Sequence, residues 1–310
     1  MKSIGKAGLA VGSALLLAAC SGGGGGSSDS SSAGTAAGGS ASKAAPTKTV
    51  APFGPVLSKN IDPVNAALAQ IATVKNLSDL DGVLGTLNTS ARDASRALGV
   101  ADVPAAIEEE KRDLANALSV FQSDTAGVRA GIKAKEFCAL SSAEAKLGAS
   151  EGLTKVSAAL TKLTAAGYSA SLTVPQLPKQ QSRSLDNGTM VSKGKLRGEG
   201  VFKVDNGGKT DAVVSLVLNG KTVHSMFVGK GQKADIKGVE DGTYDVYVSE
   251  GVDWDTDAKA FTQNCAFTKF EDNFPYETGR TSTSWEITLQ PVADGNAKTN
   301  DVDPNSFPQQ

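Results

Sequence analysis

The chain has 310 residues, 40% of them hydrophobic and 21% charged, too apolar for wholesale disorder and too polar for a multi-span membrane protein. Lys and Arg number 31 against 33 Asp and Glu, so the surface lacks the basic excess on which nucleic-acid binding depends. One histidine, His224, and three cysteines leave little stock for a zinc site or an imidazole-based active centre. We therefore expect no enzyme, no resident cofactor and no nucleic-acid partner.

Residues 1–19 read as three zones of an export signal. Lys2 and Lys6 form a positive start, Ala7 to Leu17 an apolar run, and Leu17-Ala18-Ala19 leads into Cys20. The apolar run is too short to span a bilayer as a mature helix. Leu17-Ala18-Ala19-Cys20 resembles the lipobox of bacterial lipoproteins. The resemblance implies cleavage before Cys20, a diacylglyceryl group on its thiol, and anchoring of the mature chain on the extracytoplasmic face of the cell membrane. Ser21 rather than Asp follows that cysteine, unlike the inner-membrane retention signal of double-membraned cells.

Residues 20–52, which continue from Cys20 as SGGGGGSSDSSSAGTAAGGS, read as a disordered tether and hold almost nothing that enters a core. Such a Gly/Ser chain spans roughly 30 Å on average, enough to hold a folded body off a lipid surface.

From 53 to 168 the apolar spacing is helical. Leu57, Ile61, Val64, Leu68 and Ile71 recur at steps of four and three, as do Leu80, Leu84, Leu87, Ala91, Ala94 and Leu98. Ile107, Leu114, Leu118 and Phe121 make a third stripe, and Leu153, Val156, Leu160 and Leu163 a fourth. The pattern predicts helices near 61–76, 79–98, 103–122, 126–140 and 142–166, the last breakable between Gly148 and Gly152. Ser78 with Asp81, and Ser141 with Glu144, read as start signals. Gly99 and Gly167 read as left-handed ends. An antiparallel bundle of four or five helices follows, with Glu108 and Arg112 paired on a solvated face. Residues 169–193, rich in Pro, Gln and Ser, read as a connector.

From Gly194 to Gln310 the period becomes two. DAVVSLVL, Asn219-Gly220 and KTVHSMFV predict a hairpin on a type I′ turn. A two-residue loop opposes Leu218 to Lys221, Leu216 to Val223 and Val214 to Ser225. That register puts Val214, Leu216, Leu218, Val223 and Phe227 on the core side. Val213, Ser215, Val217, Thr222, His224 and Met226 then fall on a mixed surface. Further strands are expected near 233–237, 243–248, 258–270 and 282–292, which together predict an antiparallel β-sandwich. IKGVEDGTYDVYVSEG resembles the strand–turn–strand of prealbumin-like and Cna-B-type surface domains, with an Ig-like arrangement as the other form of sandwich. The span from VDNGG to DVDPNSFP is similar to exported β-domains of bacterial lipoproteins and secreted proteins. That resemblance carries no established activity and hence no site residue.

Three groups of residues are candidates for chemistry. Asp253, Asp255 and Asp257 alternate as at the opening of an EF-hand calcium loop, but Ala258 and Asn264 stand where its glycine and bidentate Glu belong. A solvated turn is the other reading. His224 faces Ser215 across the expected hairpin without any oxyanion-loop context, so it reads as a sheet histidine. Cys138 and Cys265 remain once Cys20 is lipidated, and export favours their pairing, with two separate buried thiols as the alternative.

The function expected is a lipid-anchored, non-enzymatic binding or scaffolding module of the cell envelope. Its partners are the membrane, through Cys20, and an envelope protein or glycan. A carboxylate-based glycan hydrolase and a purely structural spacer are the alternatives.

Overall fold

The computed structural model describes residues 52–290 and 298–310. The expected signal peptide, lipidation at Cys20 and Gly/Ser tether fall on residues 1–51, which lie outside the described residues. Five α-helices come first: α1 (Phe53–Ile71), α2 (Leu77–Gly99), α3 (Glu108–Lys133), α4 (Leu140–Gly148) and α5 (Glu151–Ala165). A sheet-rich region follows, with β1 (Met190–Lys193), β2 (Gly200–Asn206), β3 (Asp211–Leu218), β4 (Lys221–Val228) and β5 (Gln232–Val239). After these come β6 (Gly242–Asp255), β7 (Ala260–Phe270), β8 (Phe274–Tyr276), β9 (Ser284–Thr288) and β10 (Thr299–Asp301).

The apolar stripes meet as read: Leu57, Ile61, Leu68, Leu84, Leu87, Leu114, Leu118, Phe121, Val156 and Leu160 share one buried cluster. The boundaries differ. Helix α1 begins at Phe53 and carries Pro63 inside it. The third and fourth expected helices are one, because α3 runs unbroken from Glu108 through Gly127 and Gly131 to Lys133. Buried Val128 keeps its stripe on the core beyond Phe121, so packing outweighs the roughly 1 kcal/mol helix cost of each glycine.

The caps shift as well. Asn76, not Ser78, starts α2: its side chain accepts from Asp79 N at 2.8 Å and donates to the Asp79 carboxylate. Ser141 caps nothing, since α4 starts after Ala139 without a side-chain cap. Gly167 has the positive φ of a left-handed end (+91°), whereas Gly99 is the last residue of α2 itself. Glu108 pairs with Lys111 at 2.8 Å rather than with Arg112. Lys111 is buried and also donates to Ala101 O, so the charged run is not wholly a solvated face.

The chain does break between Gly148 and Glu151, where Ser150 accepts from Leu153 N. Gly152 then lies against α3, its amide donating to Asp124 at 2.7 Å. A Cβ at that position would stand 2.3 Å from Phe121 Cα.

The large sheet has the strand order β1-β4-β3-β6-β7-β10, with β8 paired to β6. The small sheet is β5-β2-β9. Pairing is antiparallel except between β2 and β9, which run parallel. Residues 190–193, read as connector, form β1 at the sheet edge beside β4.

The hairpin register departs from the simple two-residue count. Leu218 opposes Lys221, but a bulge between Leu216 and Val217 sets Leu216 against His224 and Val214 against Met226. One extra residue flips every side chain beyond it. Met226 therefore joins Val214 and Leu216 in a cluster that also contains Phe202, Val204, Ile236 and Ile287 of the small sheet. Phe227 moves to the other face, beside Val213, Trp254 and Phe261. Both faces of β3 and β4 are thus apolar and covered.

Replacing Gly152 with Ala should push α5 off α3 at a cost of about 1–3 kcal/mol. Urea denaturation read by circular dichroism measures it, and an unchanged midpoint would show that the close approach has slack.

Candidate functional site

The densest polar cluster lies where the helical segment, the connector and the large sheet meet. A second register shift, between Glu250 and Val252, bends β6 against β7. Asp253 follows with φ +60°, a conformation that Asp tolerates better than most residues because its short side chain can bond locally. Its side chain is 97% buried. A buried carboxylate is costly unless hydrogen-bonded and paired, and this one is both.

Arg183 supplies most of the partners. Its Nε donates to Asp253 Oδ1 at 2.9 Å, its Nη2 to Oδ2 at 2.8 Å and its backbone N–H to Oδ1 at 2.8 Å. Thr262 Oγ1 donates to Oδ2 at 2.6 Å. The Arg183 carbonyl in turn accepts from Trp254 N at 2.9 Å. The remaining arm, Nη1, reaches Asp255 at 3.1 Å. Asp255 also accepts from the backbone N–H groups of Asp257 and Ala258, both at 3.0 Å. Hydrogen bonds from the guanidinium, aided by Thr262, hold the Asp253 carboxyl down at about 2. The Asp255 carboxyl is lowered too, first by the Ala258 amide and then by Arg183.

The calcium candidates are therefore already engaged. A guanidinium stands between Asp253 and Asp255, and Asp257 enters through its backbone. Among the described residues no group of three or more His, Cys, Asp or Glu side chains is arranged to hold a metal ion.

On the other side of β7, the link between α3 and α4 lies along the strand. Phe137 bridges to Gln263, and the N–H groups of Cys138 and Ala139 donate to Thr262 O at 2.9 and 3.3 Å. Ser142 Oγ donates to the same carbonyl at 2.8 Å, and Asn264 N donates to Glu136 O at 2.9 Å. Cys138 and Cys265 are joined by a disulfide across 127 residues.

The connector is pinned along its length. Asn65 of α1 donates to Ser171 O and accepts from Thr173 N. Leu172 and Leu177 pack on the helical core, and Leu185 on the cluster around Phe227. Asn187 donates to Lys233 O and accepts from Gly229 N. Sequence reasoning passed over Asn65, Arg183, Asn187 and Thr262. The available signal was a lone arginine set among Gln and Ser within the connector.

His224 and Ser215 do not face each other. Ser215 opposes Ser225, and its hydroxyl is bonded to the Gln310 side chain. His224 is wholly buried: Nδ1 accepts from Gly194 N at 3.3 Å, and Nε2 has no partner among the described residues. Burial pushes its pKa down, which favours the uncharged ring. Burial likewise raises the carboxyls of Glu144 on α4 and Glu250 on β6. A hollow of about 330 Å³ between α3 and α5 is lined by Asp113, Lys155 and Lys162. Its charges are paired, Lys162 with Asp113 at 3.1 Å and Lys155 with Glu151 at 2.7 Å.

No family model, curated protein or solved structure matches the chain. The cluster itself performs no reaction that its geometry reveals. It is a joint, made of one bidentate ion pair, one disulfide and a strand-like pairing.

Two outcomes test the joint. The Asp253 carboxyl sits below its ordinary 3.8 when folded, so its contribution is present above pH 4 and is lost as pH falls toward 2. Asp253→Asn should lower stability at pH 7 by about 1–2 kcal/mol, discounted because Arg183 is partly exposed, and should flatten the acid limb between pH 4 and 2. Urea titrations across that range decide it. Reducing the disulfide should cost about 4–5 kcal/mol on the loop-entropy model, read as a drop in Tm with reductant. A Cys138→Ser, Cys265→Ser chain should show the low Tm without responding to reductant.

Proposed function

We propose that the protein is an exported lipoprotein, anchored through Cys20 on the extracytoplasmic face of the cell membrane. In this reading it acts without catalysis, as a binding or scaffolding module of the envelope. The observation that carries it is Leu17-Ala18-Ala19-Cys20, placed directly behind a positive start and a short apolar run. Diacylation supplies the two chains that stable anchoring needs, which one chain does not.

The folded part is proposed to be an antiparallel helical bundle followed by a β-sandwich of the prealbumin, Cna-B or Ig-like kind. Support comes from the shared apolar cluster of the helices and from the cluster drawn from both sheets. The sheet-rich portion carries 18 acidic against 12 basic side chains over 194–310, which repels anionic lipid headgroups and favours an outward pose. The partner proposed is an envelope protein or glycan.

Cys20→Ser should shift the protein from the membrane fraction to the soluble extracytoplasmic fraction and abolish incorporation of labelled fatty acid. A variant that stays membrane-bound and labelled would overturn the anchoring.

A further inference from the structure

The edge of β7 is covered twice by segments of its own chain. The link between α3 and α4 covers residues 262–264, as described above. Beyond it β10 pairs with the strand, Thr299 opposite Phe270, Asn300 opposite Lys269 and Asp301 opposite Thr268. The two covers are not alike. The first is tied by the disulfide at Cys138 and Cys265. The second is laid on the surface: no residue from Lys298 to Gln310 is buried.

That segment nevertheless makes specific contacts. Val302 N donates to Phe267 O at 2.8 Å, and Glu271 N to Lys298 O at 2.9 Å. The Phe307 ring stands edge-on to Tyr247 at 5.7 Å and to Phe267 at 5.1 Å. The Gln310 side chain reaches the buried Ser215 hydroxyl, and Lys259 Nζ donates to Gln310 O at 3.2 Å. The seat is incompletely filled, because a space of about 410 Å³ remains beside the segment, lined in part by Ser249, Phe261, Phe267 and Phe307.

We propose that this seat is exchangeable between copies: residues 298–310 of one molecule occupy the β7 edge and the aromatic face of a second. The chemistry that recognises the incoming segment is already displayed, namely a strand edge for its backbone, a ring pair for Phe307 and a buried hydroxyl for Gln310. An identical segment in another copy makes identical contacts, so exchange conserves every interaction. A three-residue strand with no buried side chain is a weak lock on an otherwise open edge, and open edges recruit strands. The surface is thus a self-association surface, independent of whether Cys20 carries lipid.

The test uses two full-length chains purified in detergent, one carrying Thr268→Cys and the other Asp301→Cys, mixed and oxidised mildly. A third chain carries both substitutions. Its internal 268–301 link, mapped by peptide mass spectrometry, verifies that the seat is formed and the cysteines can react. Exchange predicts a covalent dimer joined through 268–301, several-fold more abundant than 268–268 or 301–301 links. Adding Phe307→Ala to the Asp301→Cys chain should lower that yield several-fold while leaving the like-to-like links unmoved, since the incoming segment loses its contacts to Tyr247 and Phe267. If the double chain links only within itself and the mixture gives no excess of 268–301, the proposal is overturned and the seat belongs to its own segment alone.

Discussion

A carboxylate removed from water sets the terms for this molecule. Asp253 is buried, ionised and placed on backbone of positive φ, three conditions that are unfavourable singly and tolerable together only with several donors aimed at it. Arg183 provides three of the four, two from its guanidinium and one from its main chain. The path of the connector is therefore dictated from the sheet. Residue 183 has to pass the end of β6, and with its carbonyl taken by Trp254 N it passes as an added strand would.

That constraint propagates in two directions. Toward the helices, Thr262 turns its hydroxyl to Asp253 while its carbonyl receives Cys138 N, Ala139 N and Ser142 Oγ. One residue of β7 thus couples the ion pair to the disulfide-bearing link. Toward the sheet, the connector brings Leu185 onto the cluster of Val213, Phe227, Trp254 and Phe261. The face of the large sheet turned away from the small one would otherwise present the three rings of Phe227, Trp254 and Phe261 to water. Its covering is part connector and part the segment around Phe307, held respectively by a charge-assisted fork and by ring edges. Charge-assisted forks are stronger holds than ring edges, so the two covers differ in strength.

Much of the order of elements is legible in sequence because it rests on periodicity. Leu80, Leu84, Leu87, Ala91, Ala94 and Leu98 were read as one buried stripe and are one. The strand expected near 243–248 forms within β6, and its alternating Tyr244, Val246 and Val248 lie in one cluster. Periodicity fails where a single residue is inserted. Val223 packs partly buried against the cluster of Val214 and Leu216 as expected, but the bulge beside it moves Phe227 to the opposite face and brings Met226 inward. It fails again where tertiary packing overrides local preference, as in the unbroken α3. The joint was hard to read for a third reason: Arg183 and Asp253 are 70 residues apart, so the lone arginine of the connector does not name its partner. Asp253, Asp255 and Asp257 show alternation that two chemistries share. Carboxylates spaced by two serve a bound cation equally whether it arrives from solution or from another part of the chain.

Composition is a poorer guide still to what a linking segment does. Residues 169–193 are as poor in apolar period as a free spacer, yet Asn65, Arg183 and Asn187 fasten them at three places. Each fastening uses a side chain meeting a main-chain group or carboxylate that is distant in sequence. Polar links therefore become rigid without acquiring any hydrophobic signature, at the cost only of leaving buried partners unpaired if one is removed. A body built in this way presents its helices and sheets in one fixed relation. Whatever surface it offers is a single surface, not two modules moving on a hinge.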